Sequence, residues 1–226
     1  MNTLLTAAVG LKYQKILVDS YYELENEVNF VIYTDNVQYL KSKLSRCDIR
    51  KYKHTPFRYF DKYTLTYQLT REKKQPIIFC DAGRLNDPVY RKFFYFDKQK
   101  IDSIYTNSNW SDVENLVMLK TYTCPYFEDG YWNNIIEYFE STGINLLEIV
   151  PLLEQLFVFP YEDWVGDVIK ELETNRLLFE KNSKNKQHIY TGIGNGEGIA
   201  LSYALNKTKS KHKLLRDLPI KPFKII

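Results

Sequence analysis

An α/β fold, a mainly parallel sheet flanked by helices in a single domain, is what the sequence predicts, and three observations predict it. Short β-branched or continuously apolar runs alternate with segments whose apolar residues recur at helical spacing, from Thr3 to Cys80. Each run stops at residues suited to turns or helix caps: Gly10, Thr34-Asp35-Asn36 and Asp81-Ala82-Gly83. No internal repeat or low-complexity spacer divides the 226 residues.

The first strand is Thr3 to Val9, ended by Gly10. Lys12 to Leu24 follows as a helix, because Tyr13, Ile16, Leu17, Tyr21 and Leu24 fall on one face. Val28 to Tyr33 is β-branched and aromatic and reads as the second strand; Val37 to Leu44 is the next helix, with the Thr34-Asp35-Asn36 turn as its cap. A third strand near Asp48 to Tyr52 leads through the His54 to Pro56 loop to an amphipathic helix, Phe60 to Arg71. Pro76 to Cys80 is apolar without interruption, as a strand buried on both faces should be. In such a sheet ligands bind at the carboxyl ends of the strands, where Gly10 to Tyr13, Thr34 to Asn36 and Asp81 to Arg84 fall. Beyond residue 85 the pattern loosens. It offers an aromatic stretch Phe93 to Phe96, a helix Tyr131 to Ser141, a strand Gln155 to Phe159, a helix Glu162 to Asn175, a glycine-rich loop Gly192 to Gly198, and a short helix to Leu205.

Apolar residues make up 44% of the chain, enough for a core without disulfides or a structural metal. Cys47, Cys80 and Cys124 are odd in number and widely spaced, which fits neither a disulfide framework nor a zinc site and points to a reducing, cytoplasmic setting. Leu4 to Val9 is too short to span a bilayer, so no transmembrane segment is expected. The net charge is only +3, with lysines gathered near the C-terminus at Lys207, Lys209, Lys211 and Lys213. That reads as a local anion site or a tail, not a nucleic-acid-binding surface.

Three places carry residues able to do chemistry. Asp81 follows a buried strand, where a carboxylate either holds a hard cation against phosphate oxygens or closes a turn. Glu197, in Gly194-Asn195-Gly196-Glu197-Gly198, precedes the helical run Ile199 to Leu205; it is either a general base or nucleophile, or a helix cap. His212, among lysines, is either a metal ligand beside a diphosphate or part of a solvated tail. His54 and His188 have no partner at ligand spacing. Trp110, Trp132 and Trp164 read as core or rim residues more readily than as sugar platforms, and Trp164, beside Glu162 and Asp163, is the one candidate platform among them.

Taken in order, these pieces resemble a small GT-A glycosyltransferase, whose fold is Rossmann-like, from residue 3 to about 84 and again from about 155 to 213. Thr6-Ala7-Ala8-Val9 with Tyr13 resembles the first strand and loop that hold the nucleotide base. Tyr33-Thr34-Asp35-Asn36 resembles the end of the second strand, and Phe60-Asp61-Lys62-Tyr63-Thr64-Leu65 the helix start whose basic residue, here Lys62, faces the nucleotide. Asp81-Ala82-Gly83 occupies the place of the family's Asp-x-Asp motif. Glu197 is similar to the acid near the anomeric carbon, and Lys211-His212-Lys213 to the segment that gives a histidine to the metal and basic residues to the diphosphate.

The resemblance implies transfer of a sugar from a nucleoside-diphosphate donor, uridine-linked in most of the family, to an acceptor hydroxyl. Residues 1–84 would be the nucleotide-binding half and 85–226 the acceptor-binding and catalytic half. The donor would meet Ala7, Val9, Tyr13, Asp35, Lys62, Asp81, Gly83, Arg84, Lys211 and Lys213. Mn²⁺ or Mg²⁺ would sit between Asp81 and His212. The acceptor, a glycan, protein, lipid or modified nucleic-acid base, would meet Trp164, Asn195 and Gly196. Gly83 in place of the second aspartate leaves two arrangements open: a cation held by Asp81 and His212, or a metal-free site in which Arg84 and the lysines neutralise the diphosphate. Glu197 as a base would invert configuration and as a nucleophile or cation stabiliser would retain it, with the resemblance leaning toward retention. Two rivals stand beside this reading: a non-catalytic nucleotide-sugar-binding protein and a nucleic-acid-modifying or nucleic-acid-binding protein.

Overall fold

The structure, a computed structural model, describes residues 1–54, 58, 60–106, 141–143, 152, 155–182 and 197–221. The expected helix Tyr131 to Ser141, apart from its last residue, and the loop positions 192–196 lie outside them. Two compact units divide the chain. The first joins Met1–Thr106, Gln155–Val165 and Lys211–Ile226; the second joins Asn107–Glu154 and Gly166–Ser210.

The first unit holds a seven-stranded, mainly parallel sheet in the order β3-β2-β1-β4-β6-β5-β7. Its strands are β1 (Asn2–Ala7), β2 (Val28–Thr34), β3 (Cys47–Lys51), β4 (Ile77–Cys80), β5 (Ile104–Thr106), β6 (Leu156–Phe159) and β7 (His212–Leu214). Only β6 runs against its neighbours, β4 and β5. The helices α1 (Leu11–Leu24), α2 (Val37–Lys41) and α3 (Asp61–Lys73) make the crossovers between the first four strands, and α4 (Pro88–Arg91) follows β4. Strands β1 to β4 and helices α1 to α3 therefore follow the sequence reading, with ends shifted by a few residues. The short strands β5 and β7 are new, and β7 takes the place of the expected basic tail.

Both faces of the sheet are covered, and the alternation of side chains along a strand shows how. Leu4 is in register with Phe30, which packs 5.3 Å, ring to ring, from Tyr21 of α1. Leu5 is in register with Phe79, on the opposite face. There Tyr63 of α3 stacks on Phe157 and Phe159 at 5.1 and 6.3 Å, and Phe157 stacks on Phe79 at 5.0 Å. Burial on both faces is why β4 carries no polar residue before Asp81.

In the second unit, α5 (Val165–Asn182) turns Val168, Ile169 and Leu172 inward, and α6 (Glu197–Lys207) buries Ala200, Leu201, Tyr203 and Ala204. Gly198, in the first turn of α6, meets the backbone of Leu152: a Cβ there would stand 2.0 Å from the Leu152 carbonyl oxygen. The absence of a side chain at Gly198 thus makes room for the chain itself.

Candidate functional site

The strand order reverses between β1 and β4: β2 and β3 are laid down on one side of β1, and β4 on the other. Such a reversal is where open α/β sheets commonly bind ligands, outside the carboxyl ends of the strands. Ala7 ends β1, Val9 and Gly10 follow it, and Tyr13 stands in the first turn of α1; Asp81, Gly83 and Arg84 follow β4; and Asp35 follows the neighbouring β2. Seven residues assigned from the sequence, all of these except Gly10, therefore share this edge.

Asp35 holds the first loop in place. Its Oδ1 accepts a hydrogen bond from the Gly10 N–H at 3.0 Å and another from Gln14 Nε2 at 2.6 Å. Gln14, buried on the inner face of α1, also donates to Thr34 Oγ1 at 3.2 Å. Gly10 has φ +86° and ψ 147°, a conformation essentially closed to other residues, and no side chain caps α1 from this position. The Asp35 carboxylate supplies that missing contact at the positive end of the helix. Gln14 was not singled out from the sequence, although a polar residue three before Leu17 on the apolar stripe was its signal.

The second loop is fixed from β6. The Asp81 N–H donates to the Gln155 carbonyl at 2.9 Å, while Gln155 Oε1 accepts from Arg84 Nε at 2.9 Å and from the Tyr90 hydroxyl at 3.3 Å. The Asp81 carbonyl in turn accepts the Arg84 N–H at 2.8 Å, closing a 3-10 turn over Ala82–Arg84. Gly83 and Arg84 are exposed and Asp81 is half-buried. Cys80, immediately before, is fully buried, and burial pushes its thiol well above the ordinary range, so it is inert at neutral pH. The two loops converge at Tyr13, whose ring is 43% exposed and lies 4.0 Å from where a Cβ of Gly83 would be.

Other expected residues stand elsewhere. Lys62 is 1% exposed, with Nζ 5.8 Å from the ring centroids of both Tyr63 and Phe79. It is buried rather than part of an open donor surface, with its ammonium set near two ring faces. Lys211, His212 and Lys213 open β7 at the amino end of the parallel strands, opposite Asp81. Lys213 Nζ is bound to both Asp102 oxygens, at 2.8 and 3.1 Å, which holds that carboxyl below its usual range. Trp164 follows the end of β6 at the same amino edge, next to Asp163, which pairs with Arg71 near the end of α3 at 2.9 Å. Asn195 and Gly196 lie outside the described residues, and Glu197 is the first residue of α6.

A cation shared by Asp81 and His212 does not fit. Lys213, Tyr105, Val158 and Ile78 form one row across the sheet, so His212 is level with Ile77, four residues short of Asp81 and three strands away. Strand spacings of about 4.8 Å and a rise of about 3.3 Å per residue put the two Cα atoms on the order of 20 Å apart. One ion about 2.0–2.6 Å from each ligand does not bridge that distance. Local crowding also lowers the His212 pKa, although the residue is exposed at the surface. Among the described residues no group of three or more His, Cys, Asp or Glu is arranged to hold a metal ion. Asp81 alone remains a donor of the kind that Mg²⁺ accepts together with phosphates and waters.

The fold defines the class: an α/β protein with a mainly parallel sheet flanked by helices, whose candidate site lies at the carboxyl edge. No protein-family model matches the chain, and no curated protein matches it in sequence. Among the described residues no helix is long and apolar enough to cross a membrane.

Proposed function

We propose that the chain is a nucleotide-sugar-dependent glycosyltransferase of the GT-A kind, with its donor between the loops after β1 and β4. The observation that carries this reading is the convergence of Tyr13 on Gly83 at the switch point, flanked by Asp81 and Arg84. An exposed ring there suits a nucleobase, and the exposed Arg84, fixed through Gln155, suits the diphosphate. In the transfer, the bond from the anomeric carbon to the diphosphate breaks and a bond to the acceptor oxygen forms, while the hydroxyl proton passes to a base. By the sequence resemblance alone, that chemistry falls to Glu197, as base or as nucleophile. Charge on the departing diphosphate would be met by Arg84, with or without Mn²⁺ or Mg²⁺ on Asp81, and not by Lys211 to Lys213.

The separation of Asp81 from His212 favours a second reading, a protein that binds nucleotide sugars without transferring them. One experiment addresses both: a panel of nucleotide sugars screened by thermal shift with and without Mn²⁺, followed by assay for released nucleotide. Binding with turnover supports the transferase, binding without turnover the second reading, and no binding across the panel overturns both.

A further inference from the structure

The amino edge of the sheet, at its β5 and β7 side, gathers Lys98, Lys100, Lys211, Lys213 and Lys221. Three strands of backbone bring them together. The Ile104 N–H donates to the Lys211 carbonyl at 3.0 Å, at the start of β5 and β7. Residues 219–221 run antiparallel to 95–97: the Asp97 N–H donates to the Pro219 carbonyl at 2.7 Å, the Lys221 N–H to the Tyr95 carbonyl at 2.8 Å, and Phe96 bridges to Ile220. Asn2, at the start of β1, ties down the same segment through the carbonyls of Phe94 and Phe96 at 2.8 and 3.0 Å.

Two carboxylates accompany the five lysines, Asp97 at 3.5 Å from Lys100 and Asp102 at 2.8 Å from Lys213, with Glu27 at the border, bonded to the Tyr95 hydroxyl. Five cations against two anions leave +3 on segments 95–102, 211–213 and 219–221, which equals the formal excess of the whole chain, +3. Crowding is visible at Lys98, whose ammonium is held below its ordinary value by burial and then by Lys221. Among these charges stand two exposed apolar side chains, Ile220 at 41% and Met1 at 65%.

We propose that this face docks on an anionic lipid bilayer, with the lysines on the headgroups and Ile220 and Met1 at the acyl boundary. Clustered lysines around exposed aliphatic side chains match the two contributions to interfacial binding, electrostatic attraction and apolar insertion. A nucleic acid fits less well, because the Phe96 and Tyr105 rings are buried and the half-buried Tyr95 is bonded through its hydroxyl to the anionic Glu27. The inference is independent of the donor reading, and its test needs no nucleotide.

The test is co-sedimentation of the full chain with phosphatidylcholine vesicles containing none or about 30% phosphatidylglycerol, at low and high salt. The expected result is binding to the anionic vesicles only, weakened by salt. Lys211→Glu with Lys221→Glu should lower the bound fraction about tenfold or more at an unchanged melting temperature, while the two Lys→Arg changes retain binding. If the glutamate pair misfolds, the two Lys→Gln changes give the same reading. Ile220→Ser should reduce the binding that survives high salt. Equal binding to neutral vesicles, no binding to anionic ones, or full binding by the charge-reversed protein overturns the proposal. So does displacement from the vesicles by a single-stranded oligonucleotide, which would make nucleic acid the partner.

Discussion

Tyr13 and Gly83 meet across the switch point of the sheet, the ring of one within 4.0 Å of where the other would carry a Cβ. If a nucleobase lies on this ring, Tyr13→Ala removes a stacking contact that is worth about 1–3 kcal/mol. We expect nucleotide affinity to fall about tenfold or more by calorimetry. The melting temperature should change little, because the ring is 43% exposed. Undiminished affinity would move the base away from this loop.

The clamp on that loop makes a separate prediction. Asp35→Ala takes the acceptor from the Gly10 N–H and one of two acceptors from the buried Gln14 amide, which keeps Thr34 Oγ1. Leaving a donor without a partner costs about 1–3 kcal/mol. Urea denaturation should show the loss, and nucleotide binding should weaken with it. Asp35→Asn, which keeps an acceptor oxygen, should recover most of the stability.

The row that runs from Lys213 to Ile78 sets the expectation for metals. If Mn²⁺ raises donor affinity at all, Asp81→Ala should abolish that effect and His212→Ala should leave it intact, since the two residues stand at opposite edges. Titration of both variants with Mn²⁺ at fixed nucleotide is the measurement. Loss of the metal response in His212→Ala would contradict the sheet register described above.

Much of this edge was legible in the sequence. The runs Val28 to Tyr33 and Pro76 to Cys80 announce buried strands through composition, and the polar residues closing them fall at the carboxyl edge of the sheet. What escaped depends on partners distant in the chain. β5 and β7 contain three residues each, and His212-Lys213-Leu214 has no strand signature until Ile104 pairs with His212. Lys62 is written as a charge at a helix start, yet Tyr63 and Phe79 enclose it. Neither enclosure nor register can be read from local periodicity.

Acid should weaken the β3 edge. Arg50 binds Asp48 at 2.6 Å and Glu72 at 2.7 Å, and the Arg50 hydrogen bond holds the Glu72 carboxyl at about 2 against its ordinary 4.5. Because the folded pKa lies below the unfolded one, the pair contributes fully above pH 4.5, and that contribution is lost as pH falls to about 2. Glu72 is partly exposed, so solvent screening keeps the effect to about 1 kcal/mol. Arg50→Ala should flatten the dependence of stability on pH across this window, as followed by urea midpoints; an unchanged slope would assign the acid sensitivity to other groups.

Gly198 separates structure from chemistry at the start of α6. Its Cα faces the Leu152 backbone so closely that a methyl group would lie 2.0 Å from the carbonyl oxygen, and the Leu152 N–H donates to the Gly198 carbonyl at 3.3 Å. Backbone cannot swing aside as a side chain does, so Gly198→Ala must push α6 away from Leu152, at a cost of about 1–3 kcal/mol or more. The neighbouring Glu197→Gln changes charge but little volume. It should leave the urea midpoint in place and, if Glu197 acts at the anomeric carbon, lower single-turnover sugar transfer by ~10²–10⁴-fold. The two variants together distinguish the roles: lost stability with Gly198→Ala and lost transfer with Glu197→Gln. A Glu197→Gln protein that transfers normally would leave Glu197 as a helix-start residue only.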